Sequence, residues 1–169
     1  MSFLSLSLDL SKTVPSFSLH HPEVAIHCLA EMADSKETRL HLYQLVREGV
    51  LDDPGNESGK FESYDEFTKN IYPRCYWAQR GGVFLALAGT AWVGLSCITT
   101  QGKTGHNGLT VVTRAYRGKG IATLLKKRII AYGVAHNLSR IMTRVAETNQ
   151  AMLAINQKLG FTPTLPPSP

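Results

Sequence analysis

The stretch VVTRAYRGKGIATLL, residues 111–125, runs from an apolar segment through a basic glycine loop into a helical pattern. Gly118 and Gly120, with Arg117 and Lys119, stand where a strand gives way to a helix. The first N–H groups of a helix have no partners within it, and the helix dipole is positive at that end. Glycines let a ligand approach the backbone closely, so the loop suits phosphate oxygens. Ala122, Leu125, Ile129 and Tyr132, supplemented by Ile121 and Leu124, recur at helical spacing, and Lys126, Lys127 and Arg128 fall mostly outside that face. The helix is predicted to end near His136-Asn137.

Upstream of this loop, Val24 to Leu29 reads as a short strand. A helix follows from Ser35, a suitable N-cap, to about Glu48, with apolar positions at Leu40, Tyr43, Leu45 and Val46. DDPGNESGK breaks the pattern, and a second short helix spans about Ser63 to Ile71. Val83–Ala88 and Ala91–Thr99 read as strands joined at Gly89-Thr90; QGKTGHNG then reads as a loop before a strand at Leu109–Val112.

Downstream, Ile141, Thr143 and Val145 alternate as a strand, and Asn149–Leu159 reads as a helix closed by Gly160. The prolines that follow leave room for one short strand. The order is β-α-α-β-β-β-α-β-α-(β), a mixed α/β domain with helices covering a central sheet. Residues 1–22 are expected as an N-terminal arm or edge strand, 23–165 as a single domain and 166–169 as a Pro-rich tail.

A chain of 169 residues suits one domain. A net charge of +5 and a pI near 9.2 favour polyanionic ligands without choosing between a nucleotide and a nucleic acid. Cys28, Cys75 and Cys97 have neither zinc-site spacing nor a disulfide pattern. They are read as reduced thiols of a cytoplasmic protein, with no metal expected. No segment has the length of a membrane span, and the N-terminus lacks the features of a signal peptide.

Other readings of the loop fit less well. A dinucleotide fingerprint needs a glycine where Thr123 stands, and a P-loop ending at Gly102-Lys103-Thr104 needs one at Cys97. RNA binding through residues 114–128 is disfavoured, because Tyr116 is the only aromatic residue there.

VVTRAYRGKGIATLL resembles the acyl-coenzyme A signature of the GNAT acetyltransferase superfamily, Gln/Arg-x-x-Gly-x-Gly/Ala, through Arg117, Gly120 and Ala122. NQAMLAINQKLGF resembles its second motif, an Asn that opens a helix ending in Gly-Phe, through Asn149, Gly160 and Phe161. The resemblance covers about Val24 to Phe161. It implies an acyl-CoA N-acyltransferase fold, with a mixed sheet splayed between its strands four and five, helices on both faces and, here, a shortened C-terminal end. It also implies acetyl-CoA as donor, held by the backbone of Thr110, Val111 and Val112 and by Arg117, Gly118, Lys119, Gly120, Ile121 and Ala122, with Asn149 and Asn156 beside it. The backbone N–H near Val112 is expected to polarise the thioester carbonyl.

The expected activity is acetyl transfer to a primary amine of a small molecule or protein by direct attack. Many family members carry a Tyr acid where this chain has Asn156, and an amide is not a useful proton donor. The N-x-x-M-x-x-I-N-x-x-L-G-F form resembles a sub-group that includes mycothiol-synthase-like enzymes. A non-catalytic acyl-CoA sensor of the same fold is the alternative.

Glu147 is the candidate general base, with a solvated loop carboxylate as the competing reading. Tyr72, Tyr76 and Trp77 are read as core or acceptor-pocket residues. Asp52, Asp53, Asp65 and Glu66 admit a cationic amine, and His106 and His136 receive no role. Because the C-terminus offers one strand where family members commonly have two, a homodimer covering the open sheet edge is expected.

Overall fold

The computed structural model describes residues 2–12 and 16–164; the expected tail, 166–169, lies outside them. The elements are β1 (Phe3–Asp9), β2 (Ala25–Cys28), α1 (Lys36–Asp52), α2 (Tyr64–Glu66), α3 (Cys75–Ala78), β3 (Val83–Ala88), β4 (Ala91–Gln101), β5 (Thr104–Val112), α4 (Ile121–Ala135), β6 (Arg140–Ala146), α5 (Gln150–Lys158) and β7 (Thr162–Pro163). Local chemistry sets the helix starts. Ser35 accepts from Thr38 N–H to cap α1, and Ser63 with Glu66 forms a capping box on α2. A single π-helical stretch, Phe67–Ile71, continues α2.

The seven strands form one sheet in the order β2-β3-β4-β5-β6-β1-β7. All neighbours are antiparallel except β5 and β6. Alternation along the strands sends Val83 and Leu85 to one face and Phe84 and Ala86 to the other. The first face packs α1 and the aromatic cluster of Phe67, Tyr72 and Trp77, so Tyr72 and Trp77 are core residues. The opposite face packs α4 and α5 through residues such as Leu125, Ile129, Ile130 and Leu159. At Gly49 a Cβ would stand 2.2 Å from Val111 Cγ2, so α1 needs glycine there to lie against β5.

Three expectations are corrected. The QGKTGHNG segment is not a loop: it forms the ends of β4 and β5, turning at Gly102-Lys103, because Gly102 supplies the positive φ of 57° that a tight hairpin needs. Residues 3–9 are neither an arm nor an edge strand. β1 pairs with β6 over seven residue pairs, from Phe3↔Ala146 to Asp9↔Arg140, and its other side meets β7 at Leu6↔Pro163 and Ser7↔Thr162.

β7 meets β1 at Leu6 and Ser7, and the chain covers the outer edge of β6 with its own N-terminus. Its alternation of Leu4, Leu6 and Leu8 with polar residues is that of a half-buried strand, and Leu6 is 5% exposed. Lys126 is the third correction: it lies inside the α4 interface and is 1% exposed.

Candidate active site

The sheet opens between β5 and β6. Their parallel pairing runs from Thr104↔Arg140 to Asn107↔Thr143 and stops, although β5 continues to Val112 and β6 to Ala146. A bulge causes the parting: between Ser96↔Thr110 and Ile98↔Asn107, two residues of β5, Gly108 and Leu109, oppose the single Cys97 of β4. Such a bulge bends the strand that carries the extra residue.

Backbone direction past the bulge follows from one hydrogen bond. Thr113 N–H donates to Val93 O at 2.9 Å, so alternation turns the N–H and C=O of Val112 and Thr110 away from β4 and into the gap.

The gap is part of a cleft of about 640 Å³. Of the residues expected from sequence, Thr110, Val111, Val112, Arg117, Gly118, Gly120, Ile121, Ala122 and Asn149 line it together. Gly118 and Gly120 hold φ of 75° and 82°, left-handed values that favour glycine, and a Cβ at either would meet no atom within 4 Å. Open space therefore faces the turn that leads into α4. Gly120 is the N-cap of α4 and offers no side chain to its first N–H groups.

Side chains around the turn are committed within the protein. Arg117 donates from Nε to Val112 O at 2.9 Å and from Nη2 to Asp52 Oδ2 at 2.7 Å. Arg114 donates from Nε to the same Asp52 oxygen at 3.0 Å. The hydrogen bonds from Arg114 and Arg117 bring the Asp52 carboxyl down to about 2. Lys119, at the crest of the turn, pairs with Glu23 at 3.0 Å and lies over the Tyr116 ring. It is not a lining residue of the cleft.

Two expected residues also stand apart from the lining. Glu147 follows the end of β6, its N–H donating to Ser2 O and its side chain exposed. Asn156 is fully buried, and neither atom of its amide has a hydrogen-bond partner. It shares the α5 face of Asn149 and Met152, which do line the cleft, at helical spacings of seven and four residues. Tyr76 packs in the core at β5, within reach of any Cβ placed on Gly108.

At the closed end of the gap lies a polar network that the sequence reading missed. Asn107 Nδ2 donates to Ser96 Oγ at 3.1 Å and to Cys97 O at 2.8 Å, which leaves Oδ1 to accept from Lys126 Nζ at 2.6 Å. Ser96 Oγ shares a 2.7 Å hydrogen bond with Thr110 Oγ1, and Thr143 Oγ1 donates to Asn107 O. Lys126 Nζ also lies 5.3 Å from the centre of the Phe161 ring. Burial pushes the Lys126 ammonium down to about 7.

The signal was its spacing. Lys126 stands four residues after Ala122 and four before Ile130, on a helix whose buried side is wider than the stripe read from the sequence. Cys97 beside the network has its thiol pushed up to about 12 by burial, which makes it unreactive.

These features define a class: a mixed α/β domain whose splayed parallel pair opens onto a glycine turn at a helix N-terminus. The model of the acetyltransferase (GNAT) family matches residues 41–161, and the chain belongs to that family. No curated protein matches the chain significantly.

Among solved structures, the fold is shared with a GCN5-related N-acetyltransferase from Sphaerobacter thermophilus at a TM-score of 0.75 and 14% identity, over 96% of this chain and 48% of that one. A tandem GNAT protein from the clavulanic acid biosynthesis pathway gives 0.62 at 22% identity, over 95% and 50%. The ribosomal-protein-S18-alanine N-acetyltransferase of Escherichia coli gives 0.62 at 14% identity, over 84% and 79%. The chain thus spans about half the length of the first two.

Proposed function

We propose that the protein is an acyl-CoA-dependent N-acetyltransferase that moves an acetyl group from acetyl-CoA to a primary amine of a small molecule or a protein by direct attack. One observation carries the reading: a single cleft joins the parted edges of β5 and β6 to the positive-φ turn at the start of α4. The residues fit such a donor. Gly118 and Gly120 leave space for a pyrophosphate beside the N–H groups of Ile121 and Ala122, and Thr110 and Val112 turn backbone groups into the gap for an extended pantetheine.

When bound, acetyl-CoA supplies an activated carbonyl. The Val112 N–H is the chain's donor toward that carbonyl oxygen, and Arg117, at the start of the glycine turn, adds positive charge near the phosphates. Asn149 lines the cleft, while Asn156 is buried on the same face of α5 and Lys119 sits at the crest of the turn. Glu147, exposed just beyond the end of β6, is the candidate general base toward the amine.

The Asn156 form of the second motif keeps the likeness to the mycothiol-synthase-like sub-group as part of this reading. The free thiols of Cys28 and Cys97 suit a cytoplasmic setting, and among the described residues no helix is long and apolar enough to cross a membrane.

A panel of primary amines with acetyl-CoA, read by thiol release and by mass of the acylated product, tests the proposal. Acceptor-dependent thiol release is expected. A specific observation favours a second reading: the buried, unpartnered Asn156 amide replaces a proton-donating phenol, which would suit an acyl-CoA sensor. Coenzyme binding without turnover on any amine would select it.

A further inference from the structure

Arg144 stands where the sheet parts. It follows Thr143, the last residue of β6 paired with β5, and it lines the cleft. Ile141 and Val145 of β6, with Leu6 of β1, belong to the core under α4 and α5. Alternation therefore puts Arg144 and Phe3 on the opposite face of the sheet. Among the described residues, the core under α1 takes none from β1 or β6, so this part of the face is open. Phe3 is 43% exposed, and Arg144 is exposed beside it.

The Arg144 guanidinium lies 5.2 Å from the centre of the Phe3 ring. Arg144 is paired with Ser5, whereas Phe3 is paired with Ala146. The side chain thus leans along β6 toward the open end of the gap. Among the described residues, no carboxylate or carbonyl engages its N–H groups. Contact with a ring face leaves those donors free, in the planar fork that matches a carboxylate. Other charged residues of the cleft are engaged: Asp52 with Arg114 and Arg117, Asp53 with the Gly55 N–H, and Lys126 with Asn107 Oδ1.

A donor with its pyrophosphate at the α4 turn and its pantetheine between the strands leaves the cleft open on the Arg144 side. The attacking amine must enter there. Continuing the β5–β6 register sets Ala146, beside which the guanidinium lies, level with Thr110. That is two residues, about 7 Å, short of Val112 along the strand. Resting on the functional reading above, we propose that Arg144 determines acceptor specificity, and that the acceptor is an ω-amino acid. Its carboxylate meets the Arg144 fork, and its amine, several bonds away, reaches the thioester carbonyl at Val112.

The test uses the full chain with glycine, β-alanine and their longer ω-amino homologues, each beside its primary amide. Binding to the chain saturated with coenzyme A is read by calorimetry, and acetylation with acetyl-CoA by thiol release. At least one acid is expected to exceed its amide by about 10–100-fold in affinity and in kcat/KM, the range of a charge-assisted hydrogen bond. Arg144→Gln abolishes that ratio by weakening the acid alone, and leaves coenzyme A affinity unchanged. Arg144→Lys, which keeps the charge without the fork, retains part of the ratio and serves should the Gln variant not fold.

Parity between acids and amides, no binding of any of these acids, a preference that survives Arg144→Gln, or loss of coenzyme A affinity in that variant overturns the proposal. Acid-selective binding without thiol release keeps it and overturns the acyl-transfer reading alone. Absence of saturable coenzyme A binding by the folded chain overturns both, whereas coenzyme binding and turnover that ignore the carboxylate overturn this proposal alone.

Discussion

Replacing Lys126 with methionine makes a prediction about stability. The ammonium is held near 7 by burial, down from 10.5. At about 1.4 kcal/mol per unit, that drop corresponds to a ceiling of roughly 5 kcal/mol of folding stability withheld while the unfolded chain is protonated and the folded site resists it. The sign follows from proton counts. Between about 7 and 10.5 the unfolded state binds more protons at this group than the folded state, so stability rises with pH across that window and levels off above it.

Integrating over pH 7 to 9 gives a gain of about 2 kcal/mol. Lys126→Met leaves Asn107 Oδ1 without its donor, a pH-independent cost of about 1–3 kcal/mol. Urea unfolding of both proteins at half-unit pH steps isolates the lysine, because all other titrations cancel in the difference. Wild type should gain about 2 kcal/mol on the variant from pH 7 to 9. A difference that stays flat over that interval would refute the buried, proton-resisting lysine.

Other consequences concern the frame around the cleft. Asp52→Asn should flatten the acid limb of the stability–pH curve between about 4 and 2, the window in which a carboxylate lowered by Arg114 and Arg117 loses its contribution on protonation; an unchanged acid limb counts against that pairing. Gly49→Ala should lower the unfolding free energy by about 1–3 kcal/mol, because the new methyl meets Val111 Cγ2 at 2.2 Å, and chemical denaturation reads it directly. Leu6→Ala should cost about 2–5 kcal/mol if β1 is a structural strand against β6, whereas a loosely packed arm would give almost none.

The sequence carried those parts of the fold that depend on local chemistry. Ser35 and Ser63 announced helix starts, Gly160 an end, and Gly89-Thr90 a hairpin, because capping and positive φ are properties of single residues. The glycine loop was legible for the same reason. Features set by partners distant in the chain were not. β1 finds β6 across more than 130 residues, and nothing in Phe3–Asp9 names that partner. The hairpin at Gly102-Lys103 was masked by polar, glycine-rich strand ends. Lys126 reads as lying outside the apolar face because lysines usually do, and only the Asn107 side-chain oxygen and the gap beside it give a buried one a place.

Calorimetric titration of the full chain with acetyl-CoA, beside Ala122→Glu, measures the central claim most directly. Ala122 lines the cleft in the first turn of α4, half-buried at the edge of the core, and a carboxylate there meets the pyrophosphate with like charge. The account predicts saturable one-to-one binding by wild type and its loss in a variant of unchanged fold. No saturable binding by folded wild type, or equal affinity in Ala122→Glu, would contradict it.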